Sequence, residues 1–167
     1  MSALWRSSES EAVRLRPMTV EHLDAVMAVE LASHLRPWTR GNFADSLASG
    51  YCADALFDTR ASLIGYCIAA PGADEMHLLN LSVAPAQRQR GHARYMLDAL
   101  VERCRANRLT QLWLEVRVSN ENARRLYRGY GMREVGLRPA YYPAAPDAGN
   151  RRGEDAVLMQ LQIEGTA

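Results

Sequence analysis

The stretch "LLNLSVAPAQRQRGHARYMLDAL", Leu78–Leu100, decides the fold. Its first half is an apolar run closed by Pro85, which reads as a strand. Its second half starts a helix: Met96, Leu97 and Leu100, with Val101 and Cys104 beyond, fall on one apolar stripe. Between them lies a short loop carrying Arg88, Arg90 and Gly91, with Arg94 just after. Like charges crowded on a turn repel one another unless an anion is held there. A helix start offers N–H groups with no internal partner and the positive end of the helix dipole. Gly91 lets a ligand reach the backbone where a Cβ would clash. The spacing Arg88-x-x-Gly91-x-Ala93 is neither G-x-G-x-x-G nor G-x-x-x-x-G-K-[ST], so it indicates neither a dinucleotide fingerprint nor a nucleotide-hydrolysing loop. On the residues alone, an anion site and a solvated basic helix start stand even.

Working outward, "AVRLRPMT" (12–19) reads as a first strand. "TVEHLDAVMAVELASH" (19–34) reads as a helix with Leu23, Val26, Met27, Glu30 and Leu31 at helical spacing and Thr19 as N-cap. "RPWTRGNFADSLASG" (36–50) reads as a shorter helical region. Two strands follow, "YCADALFD" and "ASLIGYCIAA", joined by a polar turn at Asp58–Ala61. Beyond the arginine helix, "TQLWLEVRVS" (110–119) is a strand. It puts Leu112, Leu114, Val116 and Val118 on one face and Trp113, Glu115 and Arg117 on the other. "NENARRLYRGYG" (120–131) is a helix with Ala123, Leu126, Tyr127 and Tyr130 on one face, capped by Ser119 or Asn120 and ended by Gly131. "MREVGLRPAYY" and "EDAVLMQLQI" read as a closing strand pair, with the Pro- and Gly-rich loop 143–153 between them. This order predicts a mixed α/β sheet with helices on its faces. Residues 12–167 are expected to form a single domain and 1–11 to be frayed.

Composition limits the function. The 167 residues are 48% hydrophobic and 23% charged, with a formal net charge of +1. That is an ordinary globular chain, and its balance argues against direct nucleic-acid binding, which needs a broad basic surface. Cys52, Cys67 and Cys104 form no C-x-x-C pair, which suits a reducing compartment and buried small hydrophobes rather than disulfides or a metal site. No apolar run reaches the roughly 18 to 20 residues that span a bilayer, and the N-terminus lacks a secretory pattern. No membrane partner and a cytoplasmic location are expected.

The loop Gln87-Arg88-Gln89-Arg90-Gly91-His92-Ala93 after "LLNLSVAP" resembles the acetyl-CoA pyrophosphate loop of the GCN5-related N-acetyltransferases (GNAT), whose pattern is [RQ]-x-x-G-x-[GA]. "LWLEVRVSNENARRLYRGYGM" and "YYP…EDAVLM" are similar to one subfamily, the ribosomal-protein-alanine N-acetyltransferases. The resemblance runs from about Val13 to Ile163. It implies the GNAT fold: a central, mostly antiparallel sheet with one splayed strand pair, flanked by helices. It implies acetyl-CoA as cosubstrate, with no metal, and direct attack in a ternary complex. The implied acceptor is the N-terminal alanine of a small-subunit ribosomal protein; protein lysines or a small amine are the alternative. A monomer or weak dimer is expected. Ala93 stands where many relatives have a second glycine, His92 occupies a place usually small or apolar, and the loop 143–153 is longer than the pattern. His92 is expected to face solvent.

Acetyl transfer needs an unprotonated amine and a proton for the departing thiolate. An α-amino group titrates near about 7.7 to 8.0, so a base helps at neutral pH. Glu115, in an otherwise apolar strand, is the base candidate, since desolvation raises a carboxyl's proton affinity. Its plain alternative is an exposed pair with Arg117. Tyr127 is the acid candidate; its plain alternative is a core tyrosine. The resemblance places the family's base and acid on these two residues. It also gives the cofactor the loop residues Arg88, Gln89, Arg90, Gly91, His92, Ala93 and Arg94, the side chain of Asn120, and the backbone of Leu81, Ser82 and Val83, which would pair with the pantetheine amides like an added strand. For the acceptor it points to Tyr141 and Tyr142; Glu154 and Trp38 are further candidates, and for all four a structural role stands even with binding.

Overall fold

The computed structural model describes residues 12–144 and 152–165. The expected frayed segment 1–11 and residues 145–151 of the long loop lie outside the described residues. Seven strands and four α-helices follow in the order β1 (Arg14–Pro17), α1 (Leu23–Ser33), α2 (Arg40–Ala48), β2 (Cys52–Phe57), β3 (Leu63–Pro71), β4 (Glu75–Val83), α3 (His92–Ala106), β5 (Gln111–Arg117), α4 (Glu121–Tyr130), β6 (Arg133–Tyr142) and β7 (Glu154–Gln162). The strands hydrogen-bond in the order β1-β2-β3-β4-β5-β7-β6. Every predicted element is present within a few residues of its expected bounds. The chain divides into two compact units, the first running to Ile68 and including Asn80–Met96, the second comprising Ala69–Leu79 and the chain from Leu97 onward.

In the first unit, β1 pairs antiparallel with β2, from Arg14↔Phe57 to Pro17↔Asp54. Met18, Leu23, Val26, Val29, Phe43, Tyr66 and Ile68 pack one apolar core. Helix α1 turns its Leu23, Val26, Val29 and Glu30 side inward; Leu31, expected on that stripe, is exposed. Thr19 caps a short 3₁₀ turn, Val20–His22, ahead of the α-helix. Helix α2 starts on a reciprocal cap. The Asn42 N–H donates to Thr39 Oγ1 (3.1 Å) and the Thr39 N–H to Asn42 Oδ1 (2.9 Å). Gly65 is required by close packing: a Cβ there would stand 2.9 Å from the Ser82 carbonyl oxygen.

In the second unit, β4 and β5 run parallel through three pairs, Glu75↔Gln111, Met76↔Leu112 and His77↔Trp113. The ladder ends there, although β4 runs on to Val83 and β5 to Arg117. Strand β5 stays paired on its other side with β7, from Gln111↔Gln162 to Arg117↔Ala156, and β7 pairs antiparallel with β6. Strand β5 alternates as predicted: Leu112, Leu114 and Val116 are buried, and Trp113, Glu115 and Arg117 half-buried. Val118 lies past the strand's end and is exposed. Met96, Leu97, Leu100, Val101 and Cys104 of α3 are all buried. Helix α4 is capped by Asn120, whose Oδ1 accepts from the Ala123 N–H (3.2 Å), and ends at Gly131 with φ +112°. Among the described residues no helix is long and apolar enough to cross a membrane.

Candidate active site

The arginine loop belongs to the first unit. Gln89 (φ +61°) and Gly91 (φ +82°) both take the left-handed conformation, which bends the chain sharply before α3. A Cβ built on Gly91 meets nothing within 4 Å, so the backbone there is open. Arg88 is anchored by one edge, its Nε donating to the Val83 carbonyl (3.1 Å). That carbonyl is therefore engaged, and the Ala84 N–H donates to Ile64 O (2.8 Å). Arg88, Gln89, Arg90, Gly91 and Arg94 are exposed and Ala93 half-buried. His92, expected to face solvent, is buried instead, 9% exposed at the first residue of α3. The left-handed turn at Gly91 brings the chain into the helix with this imidazole inward. Two buried polar atoms here, His92 Nε2 and Gln87 Oε1, find no hydrogen-bond partner. An exposed bend of N–H groups, basic side chains and orphaned polar atoms fits a polyanionic ligand.

Leu81, Ser82 and Val83 end β4, where Ser82 and Val83 are buried. The Ser82 hydroxyl joins a buried network that sequence reasoning missed. Glu30 Oε2 accepts from the Tyr66 hydroxyl and from Asn80 Nδ2 (3.1 Å), and Glu30 Oε1 accepts from the Trp38 N–H (2.9 Å). Ser82 Oγ donates to Asn80 Oδ1 (3.3 Å), and His34 Nε2 lies 2.7 Å from Ser82 Oγ. Burial, together with the Glu30 carboxylate, pushes the Tyr66 phenol well above its ordinary range. The signal for this network was a glutamate on an apolar helical stripe. Trp38 rests against the same core, its ring 5.1 Å from that of Phe43.

The catalytic candidates lie in the second unit. Glu115 does not pair with Arg117 as the plain alternative supposed. Its Oε2 lies 2.5 Å from His77 Nε2 and its Oε1 accepts from Arg138 Nη1 (3.1 Å), with the side chain 9% exposed. Sequence reasoning missed both partners. No sequence signal tied His77 to Glu115: only the register of the β4–β5 ladder, which pairs His77 with Trp113, puts it on the face that carries Glu115. Arg138 comes from β6, which no local pattern connects to Glu115. Arg117 instead holds Glu154, Nη1 to Oε2 at 3.2 Å, while the Ser119 N–H donates to Glu154 Oε1 (2.8 Å). Burial pushes the Glu154 carboxyl up, but these hydrogen bonds outweigh it and hold it below its ordinary range. The Arg117 guanidinium also stacks on Tyr142 (4.1 Å), and Arg138 lies over Tyr141 (5.1 Å). Burial, with Tyr141 alongside, pushes the Tyr142 phenol up to about 12. Tyr127 is the buried residue of α4, 8% exposed. Asn120 caps that helix from an exposed position. The structure thus gathers Glu115, Tyr141, Tyr142 and Glu154 into one arginine-linked group, and holds Trp38 in the core of the first unit.

A βββ-loop-helix unit with a basic left-handed bend, followed by a parallel ladder that stops beside a buried glutamate, is the layout of an acyl-CoA-dependent transferase, and the chain belongs to the acetyltransferase (GNAT) family, which it matches over residues 18–132. It is 34% identical over 143 residues to the [ribosomal protein bS18]-alanine N-acetyltransferase of Haemophilus ducreyi, a match covering 86% of this chain and 95% of that protein. It is 31% identical over 141 residues to the protein of the same name from Escherichia coli, covering 84% and 91%. The crystal structure of the Escherichia coli ribosomal-protein-S18-alanine N-acetyltransferase superposes with a TM-score of 0.81 at 29% identity, covering 93% of this chain and 96% of that one.

Proposed function

We propose that residues 12–167 act as one acetyl-CoA-dependent N-terminal acetyltransferase domain, whose acceptor is the N-terminal alanine of ribosomal protein bS18. The observation that carries this reading is the match to proteins of that name across 95% and 91% of their lengths. Acetyl-CoA, when bound, supplies an activated thioester. The bend at Gln89–Gly91 offers its N–H groups, with His92 and Ala93, to the pyrophosphate, and Arg88, Arg90 and Arg94 add charge. Leu81, Ser82 and Val83 offer backbone groups to the pantetheine arm, and Asn120 a side-chain amide. Glu115 takes a proton from the attacking amine, and the Tyr127 hydroxyl protonates the departing thiolate. Tyr141, Tyr142 and Glu154 hold the peptide, with Trp38 as a further wall. Cys52, Cys67 and Cys104 stand outside any disulfide among the described residues, which suits a reducing cytoplasm. We place the protein there as a monomer or weak dimer that contacts neither membrane nor nucleic acid.

Release of CoA thiol from acetyl-CoA tests the reading, with three acceptors: a peptide bearing the bS18 N-terminus, the same peptide with a blocked N-terminus, and a lysine-containing control. Turnover confined to the free N-terminus is expected. Turnover of the blocked, lysine-bearing peptide would move the acceptor to side chains. Calorimetric titration of CoA into Arg88→Ala and Gly91→Glu tests the loop: at least tenfold weaker binding is expected, and unchanged affinity in both would remove the loop from the site.

A further inference from the structure

His77 is outside the catalytic pair that the resemblance supplies, yet it makes the shortest polar contact to the base. Nε2 stands 2.5 Å from Glu115 Oε2. Two lone pairs do not approach so closely, so a proton lies between these atoms. The neutral imidazole therefore carries its hydrogen on Nε2 and its lone pair on Nδ1. Glu115 is nearly closed to solvent, at 9% side-chain exposure, whereas His77 is open at 36%. A buried carboxylate behind a solvent-reaching imidazole is an arrangement that orients the ring and fixes its tautomer.

We infer that His77 shares the base role with Glu115: the histidine–carboxylate pair accepts the amine's proton, which is held on the imidazole. The inference rests on the reading of Glu115 as the base. An added proton settles on Nδ1, the open lone pair of the ring, because the Glu115 carboxylate is already engaged by the His77 Nε2–H and by Arg138 Nη1 of β6. Arg117 on the same face of β5 is occupied by Glu154 of β7, and Tyr142 of β6 stays a neutral phenol. Directly beside Glu115 on β7 stands Leu158, and beyond it on β6 Gly136, neither of which brings a charge. In the transfer, the amine nitrogen bonds to the acetyl carbon and gives one proton to the pair. The carbon–sulfur bond breaks, and the thiolate takes its proton from Tyr127. The imidazolium then gives its proton to solvent, and the Tyr127 phenolate takes one back from solvent, which restores both groups.

The pH profile of kcat/KM for His77→Gln tests this, because a merely structural histidine would lower the rate without moving a limb. The acceptor amine contributes one acidic limb near about 7.7 to 8.0 to every variant. The wild-type enzyme is expected to show a second limb, and His77→Gln to move it to lower pH, because the base is then a carboxylate alone. A second limb unmoved by the substitution overturns the inference. NMR of His77 reads the same coupling without turnover: the neutral wild-type ring should carry its hydrogen on Nε2, toward Glu115, and folded Glu115→Gln should relax that preference, whereas an unchanged tautomer balance overturns the inference. Absence of turnover in the wild type, with the NMR coupling intact, would sink the acetyltransferase reading and leave the pair standing.

Discussion

Two glutamates on apolar faces meet opposite fates. Glu30, in the first unit, is 1% exposed, and its oxygens accept from a phenol, an amide and a backbone N–H, all neutral donors, with His34 Nε2 3.6 Å away. Glu115, in the second, faces one arginine and one imidazole that reaches solvent. His34 is itself 35% exposed, so what sets Glu30 apart is that its hydrogen bonds all come from neutral groups held in place, which makes it an organiser of its surroundings. A carboxylate whose partners exchange protons with solvent handles protons. Burial alone does not separate the two roles; the nature of the partners does.

The comparison breaks first at Glu115. Glu115→Gln should lower kcat/KM with the free N-terminal peptide by about 10² to 10⁴-fold, while the denaturation midpoint barely moves, because His77 and Arg138 remain solvated. Loss of stability without loss of rate would reverse the assignment. Glu30→Ala should do the converse. It strands the Tyr66 hydroxyl, the Asn80 amide and the Trp38 N–H in the interior, at a cost of about 3 kcal/mol in urea unfolding. An unchanged midpoint would show that the network holds nothing. Asn120→Ala supplies a local yardstick in the second unit. Loss of the cap on Ala123 should destabilise by about 1 kcal/mol, and a larger effect on CoA affinity than on stability would support the cofactor contact assigned to Asn120. The smallest effect concerns Tyr142. Its phenol is raised from 10 to about 12 in the folded protein, so the stability it lends is intact below about pH 10 and is lost as pH climbs toward 12. Unfolding free energy should therefore fall more steeply between pH 10 and 11.5 in the wild type than in Tyr142→Phe, and equal slopes would refute the shift.

Periodicity was enough for the elements. The stripe from Met96 to Cys104, the alternation of Leu112, Leu114 and Val116 and the stop at Gly131 are local facts, and each stands in the structure where the residues put it. The sharp bend before α3 was legible for the same reason, since a glycine at a strand-to-helix turn marks a left-handed backbone, as Gly91 shows, while its ligand was left open by the residues alone. Partnership was not legible. Arg117 sits two residues from Glu115 on one face, yet pairs with Glu154, thirty-seven residues on. His92 looked like a surface histidine until the turn at Gly91 carried it inward.

By itself the sequence determined which segments are strands and helices, where the backbone bends sharply between β4 and α3, and the family to which the chain belongs. These follow from near-neighbour spacing, which the backbone's fixed periods convert directly into faces. The tertiary structure alone decided which polar groups meet: His77 and Arg138 on Glu115, and Tyr66 and Asn80 on Glu30. Sheet register brings together residues far apart in the chain, and a charge's role depends on the donors it finds there.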